Sequence, residues 1–168
     1  VAVADLDNAG FNEIVVVTDS PIDTVNGKLH VFNANGTNFN GWPKAGINHT
    51  TSPVIADFDQ NDGGQLEIVQ ADSNLNRLYM FNHNGTNVPN WPLTLGSEVT
   101  SYSPAVGNID PGIIIGNQDL EIVFGTADGK LYVVKNNGTV LWSKSLGLGP
   151  VTGSPIIVNI DGVGAPEI

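Results

Sequence analysis

The stretch Asp57-Phe58-Asp59-Gln60-Asn61, closed by Glu67-Ile68-Val69, is one of four carboxylate-bearing loops that recur along the chain. The others are Asp5-Leu6-Asp7 with Glu13, Asn108-Ile109-Asp110 with Glu121, and Asn159-Ile160-Asp161 with Glu167. Their first residues are 5, 57, 108 and 159, so the steps are 52, 51 and 51. A repeat of about this length restricts the chain to a stacked array such as a solenoid or a propeller, because one unit cannot bury its own faces.

Within each unit the same order of short extended runs returns. The first unit reads Val1-Ala2-Val3-Ala4, Ile14-Val15-Val16-Val17, Lys28-Leu29-His30-Val31-Phe32, then a segment around Gly41-Trp42-Pro43. The second carries Pro53-Val54-Ile55-Ala56, Glu67-Ile68-Val69-Gln70-Ala71, Arg77-Leu78-Tyr79-Met80-Phe81 and Asn90-Trp91-Pro92-Leu93. The third repeats them at 104–107, 121–125, 130–134 and 140–143, and a fourth starts at Ser154-Pro155. β-Branched and aromatic residues in runs of four to six, bounded by Gly, Asn and Pro, predict strands, and nowhere is there a 3.6-residue apolar period. The expected fold is all-β, a β-propeller of four-stranded antiparallel blades. Its repeats are 1–51, 52–102, 103–153 and a partial 154–168. Propellers need about four to eight blades, so three blades and the start of a fourth imply an arc closed by further blades or by another copy.

Composition narrows the chemistry. Six Lys and Arg against seventeen Asp and Glu give a net charge of −11, which excludes the basic patch of a nucleic-acid binder. There is no apolar run long enough for a membrane-spanning helix. Cysteine is absent, which removes disulfides, thiolate metal sites and thiol catalysis. A secreted domain without disulfides needs another staple, and a bound cation is one.

The acidic loops suit a hard cation, which takes six to eight oxygens from a tight loop in which alternate side chains point inward. Asp5, Asp7, Gly10 and Glu13 hold positions 1, 3, 6 and 9 of the first loop, with the Phe11 carbonyl where a backbone ligand is usual. Asp57, Asp59 and Asn61 hold 1, 3 and 5 of the second, and two extra residues displace Glu67. Loop three offers Asn108, Asp110 and Glu121 across an insertion, and loop four offers Asn159, Asp161 and Glu167. With fewer charged ligands these two are expected to bind more weakly. The competing reading is that Asp-x-Asp is a plain turn whose carboxylates cap backbone N–H groups.

The segments DLDNAGFNEIV, DFDQNDGGQLEIV, NIDPGIIIGNQDLEIV and NIDGVGAPEI resemble the calcium loops of FG-GAP/VCBS-type repeats, the family of the integrin α-chain propeller. The resemblance implies a seven-bladed propeller with Ca2+ held between the first and second strands of a blade, and ligands approaching the opposite face. Two departures stand out. The ninth-position acid is Glu where the family commonly has Asp, and Gly164-Ala165-Pro166 lies inside the loop rather than after the second strand. Residues 128–142 also resemble the tryptophan-docking repeat of quinoprotein propellers, in one blade.

Other motifs have structural explanations. Asn35, Asn84 and Asn137 each open an Asn-Gly-Thr, and Asn48-His49-Thr50 is a further glycosylation pattern. Asn-Gly is equally a two-residue hairpin signal, and recurrence at one place per unit favours the turn. Trp42, Trp91 and Trp142 recur once per unit and are expected between blades. His30 fills the slot of Tyr79 and Tyr132. Ser52, Ser103 and Ser154 precede Pro at the start of each unit, and a nucleophile is not copied into every blade. The functional expectation is a non-catalytic, calcium-binding propeller of a secreted or cell-surface protein. It would bind an extracellular protein or carbohydrate through the variable loops around 20–27, 73–76 and 126–129. The alternatives are the propeller of a secreted enzyme, a polysaccharide lyase or quinoprotein, and a structural subunit.

Overall fold

The first three apolar runs of each of the first three units become strands in the computed structural model, which describes residues 1–19, 27–47, 51–60, 63–97, 99, 102–109, 119–147, 149–164 and 166–168. The first sheet holds β1 (Ala2–Ala4), β2 (Glu13–Thr18), β3 (Lys28–Phe32) and β4 (Lys44–Ala45). The second holds β5 (Val54–Ala56), β6 (Glu67–Asp72), β7 (Arg77–Phe81) and β8 (Leu93–Thr94). The third holds β9 (Ala105–Gly107), β10 (Glu121–Gly125), β11 (Lys130–Lys135) and β12 (Val140–Ser145). Each is an antiparallel meander of four strands in chain order, and no helix occurs among the described residues. The registers are equivalent: Val15 lies opposite Ala2 and Val31, Val69 opposite Val54 and Met80, and Val123 opposite Ala105 and Val133.

The core lies between sheets rather than within one. Leu6, Val15, Leu29, Val31 and Trp42 of the first sheet pack on Ile68 and Phe81 of the second. Phe58, Val69, Leu78, Met80 and Trp91 of the second pack on Ile122, Phe124 and Val134 of the third. This explains why β6 and β10 are buried at every position while β2 is buried only in part. A strand covered on both faces needs no polar alternation. The innermost strands β1, β5 and β9 are also in contact with one another in succession.

The structure departs from the sequence reading in detail. The fourth strands of the first two sheets are only two residues long and begin after Trp42-Pro43 and Trp91-Pro92, so these Trp precede the strand. In the third sheet Trp142 lies inside β12. The Asn-Gly hairpins are not two-residue turns. Gly36 N–H bonds Asn33 O at 2.9 Å and Gly85 N–H bonds Asn82 O at 2.8 Å, with Gly36 and Gly85 at positive φ and their Asn neighbours not. This is the longer turn closed by a left-handed glycine. The Asn side chain serves the turn: Asn35 Oδ1 accepts from Thr37 N–H at 3.0 Å and Thr37 Oγ1 at 2.7 Å, and Asn84 repeats both with Thr86. The fourth unit forms only a bridge between Val158 and Glu167. Asn48-His49-Thr50 and most of the 20–27 loop lie outside the described residues.

Candidate metal centre

The acidic loops join the first two strands of each sheet, at the same end as the Asn-Gly-Thr turns; Asn136 Nδ2 donates to Phe58 O at 3.1 Å across two neighbouring sheets. An apolar residue sits between the Asp or Asn that opens each loop and the Asp that follows. Leu6 and Phe58 are fully buried against the next sheet, and Ile109 nearly so. Burying that middle residue turns its two polar neighbours outward together. Sequence reasoning missed this anchor, although its signal, an apolar residue at position two of all four loops, was legible. Position four is left-handed in every described loop, at Asn8 (φ 58°), Gln60 (φ 52°) and Gly162 (φ 72°). Main-chain bonds then tie loop to loop: Leu66 N–H donates to Leu6 O at 2.9 Å, and Leu120 N–H to Phe58 O at 3.4 Å.

The glutamates do more than was expected of them. Glu13, Glu67 and Glu121 each accept through Oε2 from the N–H of the anchor residue, Leu6, Phe58 and Ile109, at 2.9 Å, and Glu167 accepts from Ile160 at 2.8 Å. The first three glutamates are buried. Each therefore satisfies a loop N–H that would otherwise be lost to the interior. The aspartates also hold backbone: Asp5 accepts from Ala9 and Gly10 N–H at 3.0 and 2.8 Å, Asp57 from Gln60 at 2.7 Å, and Asp161 from Val163 at 2.9 Å. The turn reading of these loops thus holds as far as it goes.

Carboxylates nevertheless converge in two loops. Oxygens of Asp5, Asp7 and Glu13 lie within 4.8 Å of one another, and so do those of Asp57, Asp59 and Glu67. Burial pushes the Glu13 carboxyl above its ordinary range; Asp7 and Asp5 push it the same way, against the Leu6 N–H. A carboxylate has about four acceptor sites, so one N–H bond does not exhaust it. The donor set, three hard carboxylate oxygens close together, fits a hard divalent cation. Phe11 offers nothing through its side chain, which is 73% exposed. Asn61 and Asp110 lie outside the described residues, and Asn108 with Glu121, and Asn159 with Asp161 and Glu167, supply fewer carboxylates.

The remaining candidates are structural. His30 stacks on Phe32 at 5.5 Å in β3, in register with Tyr79 and Tyr132 as expected. Ser103 Oγ accepts from Ser52 N–H at 3.2 Å, joining two unit starts. Trp42 Nε1 donates to His83 O at 2.8 Å and Trp91 Nε1 to Asn136 O at 2.7 Å, so both bridge neighbouring sheets.

No protein-family model and no curated protein matches this sequence. Among solved structures, BBS1N in complex with ARL6DN, from a crystal soaked with lead, aligns over 94% of this chain at TM-score 0.56 and 14% identity. The chain spans 57% of that chain. At this identity the likeness concerns the fold: together with the three meander sheets it defines a propeller-like all-β protein.

Proposed function

We propose that this chain is an arc of a larger, non-catalytic β-propeller with FG-GAP/VCBS-type repeats, which binds Ca2+ and belongs to a secreted or cell-surface protein. Asp5, Asp7 and Glu13 hold one ion and Asp57, Asp59 and Glu67 another, with the Phe11 carbonyl and Asn61 completing the shells. Bound calcium rigidifies the loop face; the opposite loops, around 20–27, 73–76 and 126–129, carry recognition of a protein or glycan. The observation that carries the reading is the pair of carboxylate triads at equivalent places in two successive sheets. Protein recognition is supported by the solved relative, itself in complex with a protein. A site copied from sheet to sheet, with no nucleophile set beside a base among the described residues, suits a scaffold better than an enzyme.

The test is calorimetric titration of the metal-free chain with calcium and with magnesium. Two calcium equivalents are expected, one lost in Asp5→Ala and the other in Asp57→Ala. Magnesium should compete poorly, because it demands a smaller octahedral shell and keeps its waters. Absence of calcium heat, together with melting curves identical in EDTA and calcium, would remove metal binding and leave the loops as hydrogen-bonded turns.

A further inference from the structure

Two crevices open at the same place in the two interfaces between sheets, and they differ in chemistry. The first, of about 550 Å³, has Asp7 and the turn Asn38-Phe39-Asn40 of the first sheet on one side and His83-Asn84 of the second on the other. The second, of about 170 Å³, has Asp59 and Val88-Pro89-Asn90 of the second sheet facing Asn136-Asn137 of the third. The bridges Phe32–Asn38 and Phe81–Asn87 put the two turns in one register, so Val88-Pro89 stands where Phe39-Asn40 does. The position is repeated and the lining is not. Phe58, Met80, Val88 and Pro89 make the second crevice apolar, whereas the first is lined by side-chain amides. Both walls of the first crevice lie inside the chain, so the site needs no further sheet.

The amides of the first crevice are held in place and only partly used. Asn33, also in its lining, donates through Nδ2 to Thr37 and to Asn38 O, which fixes its plane and leaves Oδ1 to accept. Asn84 accepts through Oδ1 from the Thr86 N–H and hydroxyl, which leaves both Nδ2 hydrogens. Asn38 and Asn40 are exposed, and no side-chain hydrogen bond engages them among the described residues. His83 Nδ1 is buried without a partner, although buried polar atoms nearly always have one. Fixed amides with unused donors and acceptors match hydroxyl groups, each of which both donates and accepts. Phe39 is half-buried on the core of this interface, and its remaining surface suits the C–H face of a ring. What the crevice lacks is equally selective. No Lys or Arg lines it, and its one carboxylate, Asp7, sits on a chain of net charge −11, which disfavours phosphates, uronates and acidic peptides. The main chain of both walls is already paired: Phe39 N–H donates to Val31 O at 2.9 Å, Gly85 N–H to Asn82 O at 2.8 Å, and His83 O accepts from the Trp42 indole. A peptide strand therefore finds no ladder to join.

We propose that this crevice binds one neutral hexose residue of a glycan. The sugar hydroxyls bond the amides of Asn38, Asn40 and Asn84, and the C–H face of the ring lies on Phe39. A volume of about 550 Å³ falls within the range of about 300–1,000 Å³ usual for small-ligand sites. The site is separate from the recognition loops at the other end of the sheets. It does not rest on calcium, although Asp7 belongs both to the crevice and to the first carboxylate triad.

The test is nuclear magnetic resonance of the whole 15N-labelled chain, titrated with the methyl glycosides of glucose, galactose and mannose, with glucuronate as the charged control. The expected result is a saturable shift of the Asn38, Asn40 and Asn84 side-chain amides with at least one neutral sugar, at a Kd of about millimolar for a single ring. Glucuronate should bind more weakly. Asn38→Ala and Asn40→Ala should each weaken binding about fivefold, the loss of one neutral hydrogen bond, with the rest of the spectrum unchanged because neither amide holds the fold. Phe39→Val combined with Asn40→Pro writes the second crevice's residues into the first and should abolish binding. Asn87→Ala, at the register position of Asn38 in the second sheet, should leave it unchanged. No saturable shift with any neutral sugar overturns the proposal. So do shifts that survive Asn38→Ala and Asn40→Ala undiminished, and a preference for glucuronate. Each titration is run in EDTA and in calcium, and binding in either medium that the variants weaken supports the site. Calcium is titrated separately without sugar, so that failure of the metal reading is told apart from failure of this one.

Discussion

Glu13→Gln separates the two roles of the loop glutamate. The amide oxygen can still accept from Leu6 N–H, now 2.9 Å from the carboxylate, but the charge is gone. Carboxylates within 4.8 Å repel by about 3.5 kcal/mol per pair at an effective dielectric of 20 and by about 1 kcal/mol in water. Asp5 and Asp7 are half-buried, and the lower figure is the safer one. Two pairs then give about 2 kcal/mol of relief, less about 1 kcal/mol for the weaker neutral hydrogen bond. In EDTA at neutral pH the variant should therefore gain about 1 kcal/mol, or about 2–4 °C in Tm for a chain of this size. In calcium the order reverses: each occupied loop contributes about 2.7 kcal/mol at a hundredfold excess over Kd, and the variant forfeits the first loop's share. The wild-type pH profile follows from the raised Glu13 pKa. Without metal, the folded state holds the proton more tightly than the unfolded chain. This contribution to stability is complete below the ordinary value of 4.5 and is lost as pH rises through the folded value. Calcium should invert that slope. The assay is thermal melting followed by circular dichroism from pH 4 to 7.5, with EDTA and with calcium. A variant destabilised equally in both media, with its calcium response intact, would refute the reasoning and reduce Glu13 to a hydrogen-bond staple.

Phe58→Ala should cost about 3–5 kcal/mol by urea unfolding, because the ring is fully buried between two sheets. Ile160→Ala at the equivalent place should change stability by less than about 0.5 kcal/mol, since Ile160 is 77% exposed; equal losses would refute the anchor role. Gly41→Ala should cost at least about 2 kcal/mol by the same assay: φ is +89°, and a Cβ would overlap the Asn84 carbonyl oxygen of the next sheet. Gly36→Ala, whose Cβ would meet nothing, should cost less despite the same sign of φ.

Four strands per unit, their order and the place of the acidic loops were written locally, in apolar runs of four to six residues punctuated by Gly, Asn and Pro. Repetition then showed that the loops are equivalent, which no single copy could. Strand pairing has a period of two, so the β2–β3, β6–β7 and β10–β11 registers followed once the turns were placed. The short β4 and β8 were overestimated because Trp42-Pro43 and Trp91-Pro92 carry strand-like side chains on backbone that ends before pairing begins. The left-handed glycine turn was misjudged because Asn-Gly alone does not count the residues ahead of it.

Only the tertiary structure decided which equivalent residues are buried. Leu6, Phe58, Ile109 and Ile160 occupy one position in four units, yet three are buried and the last is exposed. Trp42, Trp91 and Trp142 divide the same way. The physical reason is that a sheet's outward face is covered by the next sheet, so burial belongs to a residue's neighbour some fifty positions away rather than to its own segment. The second task of the glutamates, accepting the anchor's N–H while closing the carboxylate triad, likewise needed three-dimensional geometry. A carboxylate spaced for a cation and one spaced for a main-chain donor are written with the same letter.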